Sequence, residues 1–104
     1  MKILIILFYI VLLLDAEIIH DASKVTGKTI YNRHCYACHG LTGEKTALDK
    51  SSALKGWSQD RVKKALSGYQ NGSYGGSLKK LMEGQIEDLT DKEINLVSNY
   101  ISTF

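Results

Sequence analysis

Cys35-Tyr36-Ala37-Cys38-His39, residues 35–39, is the stretch around which this chain is predicted to fold. A Cys-x-x-Cys-His run is typical of c-type haem attachment, in which two thiols add to the porphyrin vinyl groups and the adjacent imidazole becomes an axial iron ligand. On a helix, residues three and four positions apart share one face. Cys35, Cys38 and His39 therefore reach one flat ligand, and the motif predicts one covalently bound haem c with its iron.

Other sites also use a Cys-x-x-Cys pair, namely a dithiol redox motif, half of a zinc site or two buried small residues. A zinc site needs four nitrogen or sulfur ligands, and the chain offers only its two cysteines with His20, His34 and His39. Neighbouring residues would then have to ligate in strained geometry. A thioredoxin-like site needs a preceding strand and a βαβ setting, and neither pattern is present.

The N-terminal segment, residues 1–16, is predicted to be a signal peptide. Ile3 to Leu14 is a run of twelve hydrophobic residues behind Lys2. Such a helix is about 18 Å long, short of the roughly 30 Å hydrocarbon core of a bilayer. Ala16 offers a small residue for cleavage, although Leu14 is larger than usual at its position, so an uncleaved anchor is the alternative. Residues 17–104 form the domain.

At 104 residues the chain holds one domain at most, and much of its 44% hydrophobic content lies in the N-terminal segment. The core that remains is thin for so small a domain. A buried porphyrin would supply the missing apolar mass. Export to the periplasm fits this chemistry, and both cysteines are then committed to thioethers and not to a disulfide.

The net charge of +2 is distributed unevenly along the chain. Residues 45–80 are rich in lysine, whereas residues 83–93 are mainly acidic. This is not the footprint of a nucleic-acid-binding protein. Four lysines are candidates for a ring that steers acidic redox partners, with a solvated helix face as the alternative: Lys63, Lys64, Lys79 and Lys80.

Hydrophobic spacing predicts an all-α domain without strands or repeats. Ser23 is a candidate N-cap for a first helix running to about Tyr36, in which Gly27 indicates close approach of another helix. A polar loop, residues 40–56, follows the motif. Ser58 caps the next helix, and a short helix spans about Ser77 to Gly84.

The last helix begins with a capping box, Thr90 with Glu93, and carries apolar residues from Ile94 to Ile101 at helical spacing. The sequence shows no strand pattern, and this helix is the last predicted element of the domain.

A six-coordinate haem needs a ligand opposite His39, and Met82 is the one methionine outside the N-terminal segment. A lone methionine is usually a core gap-filler. Here it lies 43 residues beyond the motif, far enough along the chain to reach the other haem face. His34 adjoins Cys35 and cannot cross the ring, and His20 reaches the iron only if the N-terminal tail folds over the haem.

The order of these signals resembles the small bacterial monohaem class I cytochromes c of the c-553 type, over the whole mature chain. The resemblance rests on four stretches of this sequence: Gly27-Lys28-Thr29-Ile30-Tyr31, the motif with Gly40, Gly68-Tyr69-Gln70-Asn71-Gly72-Ser73-Tyr74-Gly75-Gly76, and Met82 before the helix that ends Asn99-Tyr100-Ile101.

The resemblance implies the class I cytochrome c fold, in which four or five short helices surround one covalently bound haem and the first and last helices cross. Carried over, Cys35 and Cys38 bind haem covalently, while His39 and Met82 ligate the iron. The chain lacks the proline that many relatives place near Ala53, where a carbonyl accepts a hydrogen bond from the proximal imidazole. Ser52 or Ala53 is the expected substitute.

The function expected is that of a periplasmic, monomeric electron carrier and not an enzyme, passing single electrons between respiratory protein partners. The alternative is a haem peroxidase-like or ligand-sensing protein, in which Met82 leaves the iron easily. A thiol-disulfide oxidoreductase is a third hypothesis. Trp57 and Tyr74 are candidates for contacts with the haem or its propionates, or for simple core residues. Contact with a membrane is expected only if the N-terminal segment stays attached.

Overall fold

The computed structural model describes residues 1–10 and 24–104, and every regular element in these ranges is helical. Residues 2–10 are helical and expose their side chains. A 3₁₀ turn, Ala47–Asp49, lies in the loop after the motif. The α-helices of the domain are α1 (Gly27–His34), α2 (Tyr36–His39), α3 (Gln59–Asn71), α4 (Lys79–Ile86) and α5 (Asp91–Ile101). The all-α prediction is therefore confirmed.

Helix α1 begins later than the sequence predicted. Thr26 is extended and accepts a hydrogen bond from the Thr29 backbone N–H, while the Thr26 N–H donates to the Thr29 hydroxyl. These two bonds form a capping box, so the helix starts at Gly27. Ser23, the predicted N-cap, lies outside the described residues. Helix α1 ends at His34, and Cys35 joins it to α2.

Helices α1 and α5 pack against each other, as the resemblance implied. A Cβ atom built on Gly27 would lie 2.8 Å from the Tyr100 Cβ and 3.0 Å from the Leu96 backbone carbonyl carbon. Only a glycine allows this approach of the two helices. Beside it, the rings of Tyr31, Tyr100 and Phe104 contact one another with centroids 5.0 to 5.6 Å apart.

Helix α3 matches its predicted start, because Ser58 accepts a hydrogen bond from the Arg61 N–H. Helix α4 runs from Lys79 to Ile86, so it starts and ends two residues later than the predicted Ser77 to Gly84. Leu78 has φ −101° and ψ 17°, outside the helical range, and therefore delays the start of the helix. The capping box of α5 is present as predicted: the Thr90 hydroxyl accepts from the Glu93 N–H, and the Thr90 N–H donates to the Glu93 carboxylate.

The core lies between α1, α3 and α5, and the loop after the motif folds against it. Gly43 has φ +66° and its carbonyl accepts hydrogen bonds from the Leu54 and Lys55 N–H groups. Leu54 and Phe104 approach Gly43 from the core side. Over residues 1–10 and 24–104, every helix is too short or too polar to cross a membrane.

Candidate functional site

A cavity of about 520 Å³ opens between the motif, α3, the segment before α4, and α4 itself. Small-molecule and cofactor sites usually measure about 300 to 1,000 Å³. All four residues predicted to hold the haem line this one cavity: Cys35, Cys38, His39 and Met82. The structure thus brings the two thiols, the imidazole and the thioether sulfur together from distant parts of the chain.

The two cysteines differ in burial because the motif straddles a helix junction. Cys35 is the C-cap that follows α1, is 7% exposed and accepts a hydrogen bond at its carbonyl from the His39 N–H. Cys38 lies on α2 and is exposed. Burial, with a smaller contribution from Cys38, raises the pKa of the Cys35 thiol to about 12. A neutral sulfur, such as a thioether, suits this environment better than a thiolate.

His39 is 6% exposed and lines the cavity, yet its Nδ1 atom has no hydrogen-bond partner. Burial lowers the pKa of His39, and the nearby Lys45 backbone acts in the opposite direction. The imidazole is therefore held neutral, the form that ligates metals. The hydrogen bond expected from His39 Nδ1 to a Ser52 or Ala53 carbonyl is not formed.

Met82 reaches the same cavity from α4, where its side chain is half-buried and contacts the core cluster. Its neighbours on the wall are mainly apolar, among them Leu66, Leu78 and Leu81. Trp57 and Tyr74, predicted as haem-pocket candidates, also line the cavity. The Arg61 guanidinium lies 3.6 Å from the centre of the Trp57 ring.

The four lysines predicted to ring the haem edge are not among the residues that line the cavity, although Lys79 and Lys80 stand between Leu78 and Leu81, which are. Lys64 pairs with Asp60 at 3.0 Å, and Lys80 lies 3.6 Å from Glu83, both at exposed positions. Lys79 donates to the Gly72 carbonyl at 2.5 Å. Lys50 is the lysine that lines the cavity, and sequence reasoning missed it because nothing in the local pattern distinguishes it from its neighbours.

The residues present fit a covalently attached haem. The cavity has the volume of a cofactor site and mainly apolar walls, and both motif thiols face it. The neutral imidazole of His39 and the sulfur of Met82 are ligands that haem iron accepts. This donor set suits iron in a porphyrin and lacks the four ligands of a structural zinc site.

Comparison with known proteins gives a consistent result. The family model described as Cytochrome c matches residues 25–104. The chain is 41% identical to a cytochrome c-553 of Desulfomicrobium norvegicum over 75% of this chain and 95% of the relative. It is 36% identical to a cytochrome c-553 of Nitratidesulfovibrio vulgaris over 78% of each chain.

A cytochrome c-553 of Helicobacter pylori is 30% identical over 80% of this chain and 83% of the relative. The family match over residues 25–104 covers the motif, the cavity and the helix pair α1 and α5, in agreement with the fold described above. The chain therefore belongs to the cytochrome c family, as a monohaem electron carrier whose cofactor is covalently bound haem c with its iron.

Proposed function

We propose that Cys35 and Cys38 hold the haem through thioether bonds and that His39 and Met82 are its two axial ligands. The observation that carries this proposal is the convergence of all four side chains on one cavity. Met82 and the motif come from helices separated by more than 40 residues, so sequence proximity does not explain their meeting.

Each side chain has a distinct part in this arrangement. The two cysteines fix the position of the cofactor, and the neutral imidazole of His39 binds from the motif side. Met82 supplies a soft sulfur ligand, which raises the reduction potential relative to a site with two imidazoles. When bound, the haem iron takes up and releases one electron at a time.

The walls of the cavity support the same function. Val62, Ala65 and Leu66 of α3 are buried and line it, so the site is poorly solvated. Because a net charge is costly in such surroundings, these residues favour the reduced state. With both axial positions taken by protein, no position is left for a substrate, and the site serves electron transfer and not catalysis.

The remaining expectations belong to the same proposal. Residues 1–16 act as a signal peptide that sends the domain, residues 17–104, to the periplasm as a monomer. The exposed apolar side chains of residues 2–10 agree with such a segment. Electron donors and acceptors are protein partners, and Lys50 at the cavity lining is the cation best placed to attract an acidic one.

The test is a visible spectrum of the ferric protein before and after Met82→Leu, a change that removes the sulfur and keeps apolar bulk. We expect a methionine–iron charge-transfer band in the wild type and its loss in the variant. Leu81→Ala, at an adjacent position of the same wall, is the control and should keep the band.

Carbon monoxide binding separates the carrier from the peroxidase-like or ligand-sensing alternative. The ferrous wild-type protein at neutral pH should resist carbon monoxide, because Met82 occupies the position that the gas needs, and Met82→Leu should bind it. Rapid binding by the wild type without denaturant would support the alternative. A colourless protein with two titratable thiols would support a thiol-disulfide oxidoreductase.

A further inference from the structure

Helix α4, which carries Met82, has few interactions of its own to fix its position. It is eight residues long, its N-cap Leu78 makes no side-chain hydrogen bond, and of its residues only Ile86 is fully buried. Isolated helices of this length are marginal in water. Helix α4 packs mainly against α3, so the groups that join these two helices decide where Met82 lies.

One side chain joins the two helices at the carboxyl end of α4. The Gln70 Nε2 group, on α3, donates to the Leu89 carbonyl at 2.8 Å and to the Ile86 carbonyl at 3.2 Å. The last carbonyls of a helix lack partners within the helix and need external donors. Gln70 therefore satisfies the end of α4 and the turn that follows it.

The other end of α4 is tied to the same part of α3. Lys79, the first residue of α4, donates from Nζ to the carbonyl of Gly72, the residue that caps α3. Met82 lies between these two attachments, one turn from each. Lys79 also lies near Glu83 within α4, whereas both bonds of Gln70 leave its own helix.

We propose that Gln70 is a positioning residue for the axial ligand, holding α4 so that the Met82 sulfur stays within reach of the iron. The proposal rests on the function proposed above, in which Met82 is that ligand. Gln70 itself does not line the cavity, so its effect passes through the backbone of α4.

The experiment compares Gln70→Ala with Gln59→Ala in the haem-loaded protein. Gln59 is the matched control, because it has the same side chain, lies on the same helix and bonds to Asn95 of α5 instead of α4. For each protein, the methionine–iron band and the far-ultraviolet helical signal are followed during heating.

During heating, the band is lost at one temperature and the helical signal at another. In Gln70→Ala, we expect the first temperature to lie about 5 °C further below the second than it does in the wild type. Added imidazole should replace the methionine about tenfold faster, as expected for the loss of two ordinary hydrogen bonds. Gln70→Glu keeps the shape but, ionised, loses the donor, and should behave like Gln70→Ala. In Gln59→Ala, the difference between the two temperatures and the rate at which imidazole replaces the methionine should both be as in the wild type.

Two results would overturn the proposal, and they are distinguishable. If the wild type shows the band but Gln70→Ala lowers both transitions equally, Gln70 only adds general stability. If the wild type lacks the band, the assignment of Met82 itself is wrong. Hydrogen exchange of the α4 amides is a second measurement: it should rise in Gln70→Ala and stay unchanged in Gln59→Ala.

Discussion

Ser98 is a residue whose hydroxyl group works against the stability of the fold. It is 0% exposed on α5, and its Oγ atom has no hydrogen-bond partner. An unpaired buried polar atom costs about 1 to 3 kcal/mol. We expect Ser98→Ala to raise the free energy of unfolding by about 1 kcal/mol, measured by urea denaturation of the haem-loaded protein.

The control for this change is Ser102→Ala near the end of the same helix. Ser102 Oγ donates to the Asn99 carbonyl at 2.6 Å at an exposed position. Removing this hydroxyl group should leave the free energy of unfolding unchanged or slightly lower. A lower stability of Ser98→Ala would mean that the hydroxyl group does have a partner.

Glu44 gives the stability of the loop after the motif a defined pH dependence. Its carboxylate accepts hydrogen bonds from the Thr42 N–H at 2.8 Å and the Thr42 hydroxyl at 3.0 Å. Hydrogen bonds from its own backbone N–H and then from Thr42 lower the pKa of Glu44 from 4.5 to about 2. Because the folded-state pKa is the lower one, the contribution is complete above pH 4.5 and is lost as the pH falls towards 2.

We therefore expect Glu44→Gln to have a lower urea midpoint than the wild type at pH 7. The difference between the two midpoints should narrow as the pH falls from 4.5 to 2. Acid effects on His39 are common to both proteins and cancel in the comparison. Glu87→Gln, an exposed glutamate outside this loop, is the control. A difference that stays constant over this pH range would show that the carboxylate charge is not the cause.

At the scale of the helix, Gly27 sets the distance between α1 and α5. A methyl group there would press on Tyr100 Cβ at 2.8 Å and on the Leu96 backbone. We expect Gly27→Ala to lower the free energy of unfolding by about 1 to 3 kcal/mol, as other overpacked contacts do. Thermal unfolding of the haem-loaded protein measures this change.

Gly84 in α4 is the opposite case and a matched control. No atom lies within 4 Å of a Cβ built there, so Gly84→Ala should stabilise the helix by about 0.5 to 1 kcal/mol. If both substitutions act in the same direction, the close contact of α1 with α5 does not explain the need for glycine at position 27.

Local sequence signals located helix starts only where the side chains follow the usual pattern. The capping box of α5 was predicted because Thr90 is followed by Glu93 three residues later. The box of α1 was missed because Thr29 supplies a hydroxyl where the usual pattern has a carboxylate or amide. The start of α4 depends on the backbone at Leu78, which hydrophobic spacing does not report.

At the scale of the molecule, the cavity makes the stability of the fold depend on the cofactor. Without haem, the apolar side chains that line this cavity, among them Val62, Ala65 and Leu66, lose the cofactor as a packing partner. A small domain is stable by only about 5 to 15 kcal/mol, so this loss of apolar burial is a large fraction of its stability. We expect the haem-free chain to lose most of its helical far-ultraviolet signal and its cooperative melting. Full helicity and a sharp transition without haem would contradict this.

The motif and the all-α fold were predictable because short stretches of sequence carry their signals, whereas the long-range contacts of Gln70 and Lys50 were not. Gln70 meets Ile86 and Leu89 only because α3 and α4 lie side by side. Lys50 lines the cavity, and the four lysines singled out by charge distribution do not, because the fold and not the charge pattern decides which side chains meet.

The aromatic cluster at the carboxyl end has a consequence for the order of events during biosynthesis. Tyr31, whose hydroxyl donates to the Gly40 carbonyl at 2.6 Å, is covered by Tyr100 and Phe104. Because the haem-free chain is expected to be largely unfolded, Cys35 is open when its thioether bond forms, and Tyr31, Tyr100 and Phe104 pack together only afterwards.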